Sequence, residues 1–358
     1  MSETNAALDG TRRALQVRAA LQAERPDLAA GVPEPIPDKG LAHWHFRLPG
    51  TGWIARVPKQ SQMDLPAEAN LAYQSACFLR AAPSGHTPKM LGLLRPSAHL
   101  PRGALMVEEI VGRPARLPAD LPAIMEALAA IHALPLPPAN VRRPLLDPAD
   151  PLQALLEEVD AQAAHLDAAG LAPVSRAGID AARARVSAGA TLARLAPRRL
   201  IAFDTHPGNF LVRDDGVAFL VDLEKARYGM GALDVAHTTL VTSTTWDVES
   251  SAELSAAEVI AAYRHWALTL GAAAAGEGRE WVLARAAMWL WSVTWCAKWR
   301  VLSQQPRRLS VDGEDWSGTM SEQHLDRHVR GRVDDYLSPQ RVAFVMDELE
   351  ALDRTFCK

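Results

Sequence analysis

The pattern of apolar and polar positions divides the first part of the chain into short elements. Residues 7–30 are rich in Ala, Leu and Arg, which indicates a helix. Over residues 44–48 every second side chain is apolar, and this is the period of a half-buried strand. Residues 49–52 predict a turn, and residues 53–57 predict the returning strand. The Ala-rich segment 64–80 predicts a second helix.

The pattern becomes mainly helical further along the chain. An apolar run over residues 105–111 precedes a predicted helix at residues 121–134. The rest of the chain indicates helices, with one exception. Residues 210–213 and 217–221 are apolar segments separated by Asp214-Asp215-Gly216, which predicts a β-hairpin. The order of elements therefore predicts an α+β chain in which strands and one helix precede a mainly helical region.

Composition restricts the classes of function. With 358 residues, the chain is longer than one hydrophobic core usually organises. The net charge of −4 and the scattered Arg residues argue against nucleic acid or a membrane as the partner. The polar N-terminus and the absence of a long apolar segment favour a cytoplasmic protein. Three cysteines with neither metal nor disulfide spacing fit a reducing compartment: Cys77, Cys296 and Cys357.

The chemistry is concentrated in residues 201–224. Transfer of a phosphoryl group requires a carboxylate that orients the attacking hydroxyl, and oxygen ligands for the Mg²⁺ that bridges the phosphates. Asp204 and Asn209 supply a carboxylate and an amide from one loop, and the hairpin would return Asp222 to the same place. An Asp-x₄-Asn pattern alone usually marks a surface turn. Its combination with His206-Pro-Gly208, a hairpin and a second Asp is a specific signal.

This segment resembles the phosphotransferase family of aminoglycoside kinases, choline kinases and their relatives. The family loop His-Gly-Asp-Leu-His-Pro-Gly-Asn is similar to residues 202–209, and its Ile-Asp-Phe/Trp-Glu strand is similar to residues 221–224. The resemblance implies that Asp204 is the catalytic base. It also implies that Asn209 and Asp222 are the Mg²⁺ ligands.

The resemblance implies a fold and a reaction as well. The expected fold is α+β, a protein-kinase-like two-lobed fold with a small mixed β/α N-lobe and a larger, mainly helical C-lobe. The N-lobe would comprise residues 1–111 and the C-lobe residues 112–358. The expected reaction is Mg²⁺-dependent transfer of the γ-phosphate of ATP or GTP to a hydroxyl of a small-molecule metabolite. A monomer or a homodimer would carry it out.

The nucleotide would be held by residues of the N-lobe. Residues 37–43 resemble the phosphate loop of the family, which makes Gly40 a candidate contact. Arg56 lies where kinases carry the cation that binds the α- and β-phosphates, and Glu68 in the next helix would be its ion-pair partner. The alternatives are that Arg56 is a strand residue facing solvent and that Lys59 is the phosphate-binding cation.

Residues 106–114 resemble the hinge of the family. The hinge would bind the adenine edge through backbone groups of Glu108, Glu109 and Ile110. Asp234, in a Gly-x-x-Asp pattern similar to that of the family, would brace the catalytic loop. His132, at the end of a predicted helix, is expected to be a packed structural residue.

Two positions depart from the family pattern. Ala202 replaces the His that organises the catalytic loop, and Phe203 replaces a small residue. These departures raise a second hypothesis, a pseudokinase that binds nucleotide or acts as a scaffold without turnover. A third hypothesis, transfer to a protein side chain, is disfavoured because no Asp-Phe-Gly to Ala-Pro-Glu segment is evident.

The acceptor stays open. Trp291, Trp295 and Trp299 are four residues apart and would share one helix face. They would line the acceptor site as an aromatic wall or pack in the core, and aromatic residues at helical spacing favour the core. Asp247 and Glu249 are too few acids to indicate a polycationic acceptor.

Overall fold

The computed structural model describes residues 3–29, 31–37, 42–190, 196–305 and 323–357. Contacts between Cα atoms divide the chain into two compact units. The first unit comprises Met1–Ala82, Pro88–Ile110 and Leu302–Val329, and the second comprises Pro83–Thr87, Val111–Val301 and Arg330–Lys358. The break between Ile110 and Val111 lies beside the predicted boundary at residues 111 and 112. The assignment of lobes to these residues stays a prediction.

The first unit contains an antiparallel sheet with the strand order β1-β2-β3-β5-β4. Its strands are β1 (Glu34–Ile36), β2 (His43–Leu48), β3 (Trp53–Pro58), β4 (Met90–Leu94) and β5 (Ala104–Glu108). In β2 the side chains of Phe46 and Leu48 are buried and Arg47 is exposed. The alternation predicted for residues 44–48 is therefore confirmed, since one face of this strand lies in the core.

Two helices of the first unit were expected from the sequence. They are α1 (Glu3–Glu24) and α2 (Ala67–Ala81). Val17 and Leu21 of α1 are fully buried in a cluster with Phe46 of the sheet. Pro66 immediately precedes α2, a position where its missing N–H leaves no hydrogen bond unmade. The helix begins there because an X-Pro pair disfavours helical backbone in the preceding residue.

The remaining helices lie mostly in the second unit. They are α3 (Leu121–His132), α4 (Pro151–Ala163), α5 (Pro173–Gly189), α6 (Gly231–Thr239), α7 (Val241–Thr244), α8 (Ala256–Leu270), α9 (Ala272–Ala275), α10 (Gly278–Leu302), α11 (Gln323–Tyr336) and α12 (Pro339–Phe356). None of the helices in the described ranges combines the length and apolarity that crossing a bilayer requires.

The long helix α10 is tied to α12 and α6 by a buried cation. The side chain of Arg285 is fully buried, and its Nε and Nη2 donate to Oε2 of Glu348 at 3.0 and 2.8 Å. Its Nη1 donates to Oγ1 of Thr239 at 2.7 Å. A buried guanidinium without such partners would cost several kcal/mol, on the order of 3–5 kcal/mol for a broken pair. These bonds therefore fix the position of α10 in the second unit.

Short strands of the second unit carry the segment that the sequence singled out. They are β6 (Arg113–Pro114), β7 (Arg198–Ile201), β8 (Phe210–Val212), β9 (Ala218–Leu220) and β10 (Arg227–Met230). The β8–β9 hairpin is confirmed, and β6 extends it to three strands. The expectation that this hairpin would be the one exception to helix was wrong, because β7 pairs with β10. Both strands have four residues and neither alternates in burial, so no periodic pattern marks them.

Candidate active site

The β8–β9 hairpin brings two predicted metal ligands to the same end of the ladder. Asn209 immediately precedes β8 and closes a short 3₁₀ turn. The backbone N–H of Val221 donates to the carbonyl of Asn209 at 2.9 Å, so Asp222 follows directly after this bond. At the far end of the hairpin, Gly216 has φ +83°, a conformation that glycine adopts without a Cβ clash. The tight turn therefore returns Asp222 to the loop, as the sequence predicted.

The oxygen atoms of Asn209 and Asp222 fit a magnesium ion. Nδ2 of Asn209 donates to the backbone carbonyl of Asp204 at 2.9 Å. Because a carbonyl accepts only from a donor, this bond assigns the amide nitrogen and leaves Oδ1 as the atom for a ligand. Oδ1 of the Asp222 carboxylate accepts the N–H of Glu224 at 3.4 Å. An amide oxygen and a carboxylate are the ligand types that Mg²⁺ prefers.

The carboxylate of Asp204 lies beside a lysine and a histidine. Nζ of Lys225 donates to its Oδ2 at 2.6 Å, and Nδ1 of His237 lies 3.8 Å from its Oδ1. Nζ of Lys225 also lies 5.1 Å from the ring centroid of Trp291, within the range of a cation–π interaction. Burial raises the pKa of Asp204, but the positive charge and hydrogen bond of Lys225, joined by the charges of His237 and His206 when these are protonated, outweigh it and hold the pKa well below its usual range. Asp204 is therefore ionised at neutral pH.

His237 holds the catalytic loop by its backbone. Its Nδ1 accepts the N–H of Thr205 at 2.9 Å, so the ring proton of the neutral form lies on Nε2. Burial lowers the pKa of His237 to about 4. The ring is therefore neutral at pH 7, and its contact with Asp204 is not an ion pair. Neither His237 nor Lys225 was among the residues expected from the sequence.

Asp234 of α6 braces the loop, as predicted. Its carboxylate accepts the backbone N–H of Ala202 at 2.7 Å and that of Phe203 at 2.8 Å. Nε2 of His132 lies 3.0 Å from the same carboxylate. Nδ1 of His132 accepts from Nε1 of Trp266 at 2.9 Å, so the proton on Nε2 is the one that points to Asp234. His132 is the packed structural residue that the sequence suggested.

The two departures from the family pattern lie in this braced loop. Ala202 and Phe203 are both buried, and Phe203 has φ +69°, a left-handed conformation that is unusual for a residue with a side chain. The Phe203 ring packs edge-on against Trp291 at 5.1 Å between centroids. The guanidinium carbon of Arg227, which pairs with Glu158, lies 3.7 Å from the Phe203 ring centroid. The loop is therefore held by Asp234 and by packing in the absence of a His at position 202.

The tryptophan stripe of α10 is mostly core. Trp291 and Trp299 are buried, and Trp295 is half-buried with its ring 5.6 Å from that of Trp246. The prediction that favoured packing over an exposed aromatic wall is confirmed for Trp291 and Trp299. Trp291 nevertheless lies beside the loop that carries Asp204, because its ring contacts Phe203, His237 and Lys225.

The two acids considered for the acceptor lie in a turn. Oδ1 of Asp247 accepts the backbone N–H of Glu249 at 2.8 Å, and Glu249 itself is exposed. Asp247 also packs against the catalytic loop, since a Cβ placed on Gly208 would lie 2.7 Å from the Cβ of Asp247. This close approach requires glycine at position 208.

Arg56 lies in the core of the first unit. Its side chain, on β3, is buried, so the alternative in which it faces solvent is wrong. The guanidinium carbon lies 5.3 Å from the ring centroid of Phe78 on α2. Lys59, the other candidate cation, is also buried, and its Nζ lies 5.7 Å from the Trp44 ring centroid. Both cations thus remain candidates for a phosphate contact.

The expected partner of Arg56 is not where the sequence predicted. Glu68 is exposed, and no ion pair joins it to Arg56 in the described part of the first unit. The reason is helical periodicity: the inward face of α2 carries Ala67, Asn70 and Gln74, and Glu68 falls between them. The buried polar side chains of this helix are therefore the amides and not the carboxylate.

The hinge candidates follow β5. The N–H of Glu108 donates to the carbonyl of Lys89 at 2.8 Å, and the N–H of Glu109 donates to that of Gly52 at 2.9 Å. Ile110 makes no hydrogen bond to any other described residue, so its backbone N–H and C=O are available to a ligand. Gly40 of the predicted phosphate loop lies outside the described residues.

Comparison with known proteins shows the family of this chain. Residues 35–280, more than half of the chain, match the profile of the phosphotransferase enzyme family. The chain belongs to this family. The family match confirms that the chain is a phosphotransferase enzyme, as the sequence predicted. No curated protein matches the sequence of this phosphotransferase.

Solved structures show the fold of the phosphotransferase. A choline/ethanolamine kinase family protein from Mesorhizobium loti is 16% identical, covers 95% of this chain and 99% of its own, and has a TM-score of 0.58. A spectinomycin phosphotransferase solved with ADP and spectinomycin is 10% identical over 93% of this chain and 98% of its own, with a TM-score of 0.59. The GDP complex of aminoglycoside 2′-phosphotransferase-IIIa is 14% identical over 90% and 98%, with a TM-score of 0.54. The predicted protein-kinase-like α+β fold is confirmed.

Proposed function

We propose that this phosphotransferase moves the γ-phosphoryl group of ATP or GTP, bound with Mg²⁺, to a hydroxyl of a small-molecule metabolite. The observation that carries the proposal is the arrangement around the β8–β9 hairpin. An ionised carboxylate, Asp204, shares a loop with Asn209, and the hairpin returns Asp222 beside that loop. These are the groups that phosphoryl transfer requires, at one end of one short element.

Asp204 would hold the acceptor hydroxyl. A carboxylate with a depressed pKa is a weak base, and the loose transition state of phosphoryl transfer does not require a strong one. The acceptor oxygen forms a bond to the γ-phosphorus while the bond from that phosphorus to the bridging oxygen breaks. The electron pair leaves on the nucleoside diphosphate, and the hydroxyl proton passes to Asp204. Orientation and late acceptance of the proton are the tasks of this residue.

Asn209 and Asp222 would hold the Mg²⁺. The ion supplies positive charge to the phosphate oxygens when it is bound. The amide of Asn209 is oriented for this task by its bond to the Asp204 carbonyl, which leaves Oδ1 for the ion. This bond also links the metal ligand to the residue that would bind the acceptor.

The nucleotide would contact the first unit. Arg56 would bind the α- and β-phosphates, with Lys59 as the second candidate, and Gly40 would lie in the phosphate loop. The backbone of Ile110, whose N–H and C=O bond to no other described residue, would bind the edge of the base. Relatives in fold bind ADP in one case and GDP in another, so the base is proposed as adenine or guanine.

Calorimetric titration of ATP with and without Mg²⁺ tests the nucleotide site. The wild type should bind ATP more tightly with Mg²⁺, and Asp222→Asn should weaken that metal-dependent gain because it removes a charged ligand. Asp215→Asn, at an exposed position in the turn of the same hairpin, is the matched control and should bind as the wild type does. Absence of nucleotide binding in the wild type would refute the kinase proposal and favour a scaffold.

Turnover separates an active kinase from a pseudokinase. Release of ADP or GDP would be measured against a panel of small hydroxyl compounds. Asp204→Asn should bind nucleotide nearly as well as the wild type but lose turnover by about 100-fold or more, the usual contribution of a positioned proton acceptor. Nucleotide binding without turnover on any acceptor would support the pseudokinase hypothesis. That hypothesis is motivated by the departures from the family pattern at Ala202 and Phe203. Unchanged turnover in the variant would contradict the role of Asp204.

A further inference from the structure

Lys225 occupies a position that the family pattern does not explain. Its side chain is 8% exposed, and Nζ donates to Oδ2 of Asp204 at 2.6 Å. It follows Asp222 by three residues, so one short segment provides both a metal-ligand candidate and an ammonium ion. Nε of Arg227 donates to the backbone carbonyl of Lys225 at 3.2 Å, which fixes the backbone from which the side chain extends.

The ammonium group has unused hydrogen-bonding capacity. A lysine carries three N–H donors, and Asp204 is its one hydrogen-bond acceptor among the described residues. The Trp291 ring provides a cation–π contact but accepts no conventional hydrogen bond. Two donors of a largely buried cation thus remain, and a buried charge is stable only when it is well partnered. An anionic oxygen bound next to Asp204 would complete the set.

The charge state suits such a contact. Burial lowers the pKa of Lys225, but the carboxylates of Asp204 and Glu224 outweigh burial and raise the pKa above its ordinary value. The side chain therefore remains an ammonium ion at neutral pH. It does not act as a proton carrier in the transfer step.

We propose that Lys225 is a further catalytic residue, which donates a hydrogen bond to a non-bridging oxygen of the γ-phosphoryl group during transfer. The inference rests on the proposed function. Asp204 must lie within hydrogen-bond distance of the hydroxyl that attacks the phosphorus. A cation 2.6 Å from Oδ2 of Asp204 is then within reach of the same phosphoryl group. Negative charge is spread over the equatorial oxygens in the transition state, and a fixed cation there stabilises it.

The proposed step is balanced without a change in Lys225. The acceptor oxygen bonds to phosphorus, the bond to the bridging oxygen breaks, and its electron pair leaves on the nucleoside diphosphate. The hydroxyl proton passes to Asp204, and Lys225 keeps its own protons. Its contribution is electrostatic, and it orients the carboxylate through the bond that is already present.

The test compares two calorimetric titrations, one with MgADP and one with MgADP plus aluminium fluoride, which mimics the transferring phosphoryl group. The wild type should bind ADP more tightly when the fluoride is present. Lys225→Met should lose about 10- to 100-fold of that gain, the value of a hydrogen bond from a charged donor. The affinity for MgADP alone should stay within about threefold, since the contact is proposed for the transferred group only. Lys225→Arg, which retains the charge, should recover part of the gain.

Lys298→Met is the matched control, because it removes a lysine of the second unit from α10 and should leave both affinities unchanged. Circular dichroism would verify folding, and Lys225→Gln replaces Lys225→Met if the latter does not fold. If Lys225 had a merely structural role, the variant would bind MgADP more weakly both with and without aluminium fluoride, by the same factor. If the variant kept the full increase in ADP affinity on addition of aluminium fluoride, the inference would be overturned. Failure of the wild type to bind MgADP would instead contradict the proposed function itself.

Discussion

At the scale of single residues, Phe203 combines a strained backbone with a buried ring. The left-handed conformation costs a residue with a Cβ about 1–2 kcal/mol, and removal of a buried Phe side chain costs about 3–5 kcal/mol. The second value is larger, so Phe203→Gly should destabilise the protein by about 2 kcal/mol even though glycine tolerates φ +69°. The measurement is the free energy of unfolding in urea. Phe203→Leu, which keeps most of the apolar volume, is the control and should cost less; a glycine variant as stable as the wild type would contradict the packing role.

The individual residues of the loop differ in how far they could be predicted. Asp204 and Asn209 belong to one short motif, so their roles can be inferred from spacing. Lys225 and His237 contact the loop from positions 21 and 32 residues away, through Asp204 and Thr205 respectively. No local pattern specifies such contacts. The sequence offered one indication for Lys225: it is the single lysine between positions 89 and 298, and it follows Asp222 by three residues.

At the scale of elements, α6 fixes the catalytic loop through one carboxylate. Asp234→Asn keeps the shape of the side chain but replaces one acceptor oxygen by a donor. One of the N–H groups of Ala202, Phe203 or His132 would then be left without an acceptor in the core, which costs about 1–3 kcal/mol. Urea unfolding should show this loss, and amide hydrogen exchange should accelerate at Ala202 and Phe203. Asp214→Asn, exposed in the hairpin turn, should change neither measurement.

Elements with a clear period were predictable and elements without one were not. The alternation in β2, the turn in the β8–β9 hairpin and the helix that became α2 were all visible in the sequence. β7 and β10 were missed because each is formed by pairing with the other across more than 20 residues of chain. The assignment of Glu68 failed for a different reason. It was inferred from its place early in α2, whereas the face that a residue occupies depends on its phase in the helix.

At the scale of the whole molecule, His237 makes stability depend on pH. Its pKa is about 4 in the folded protein and near 6.5 when unfolded, so the unfolded chain binds more protons between these values. Stability from this group is complete above pH 6.5 and is lost as the pH falls through 4, on the order of 3 kcal/mol in total. Urea unfolding at pH 7.5 and pH 4.5 measures the loss. His237→Asn, whose Oδ1 can accept the N–H of Thr205, should show a smaller difference; an equal difference in the variant would exclude His237 as the source.

The pairing of Arg285 with Glu348 has a consequence for biosynthesis. The two residues are 63 positions apart, and Glu348 lies in α12. While the ribosome is still synthesising that helix, α10 has already emerged with a guanidinium whose carboxylate does not yet exist. Helix α10 therefore cannot reach its final buried position before α12 has also emerged. Until then the apolar surface of α10 is open to chaperones.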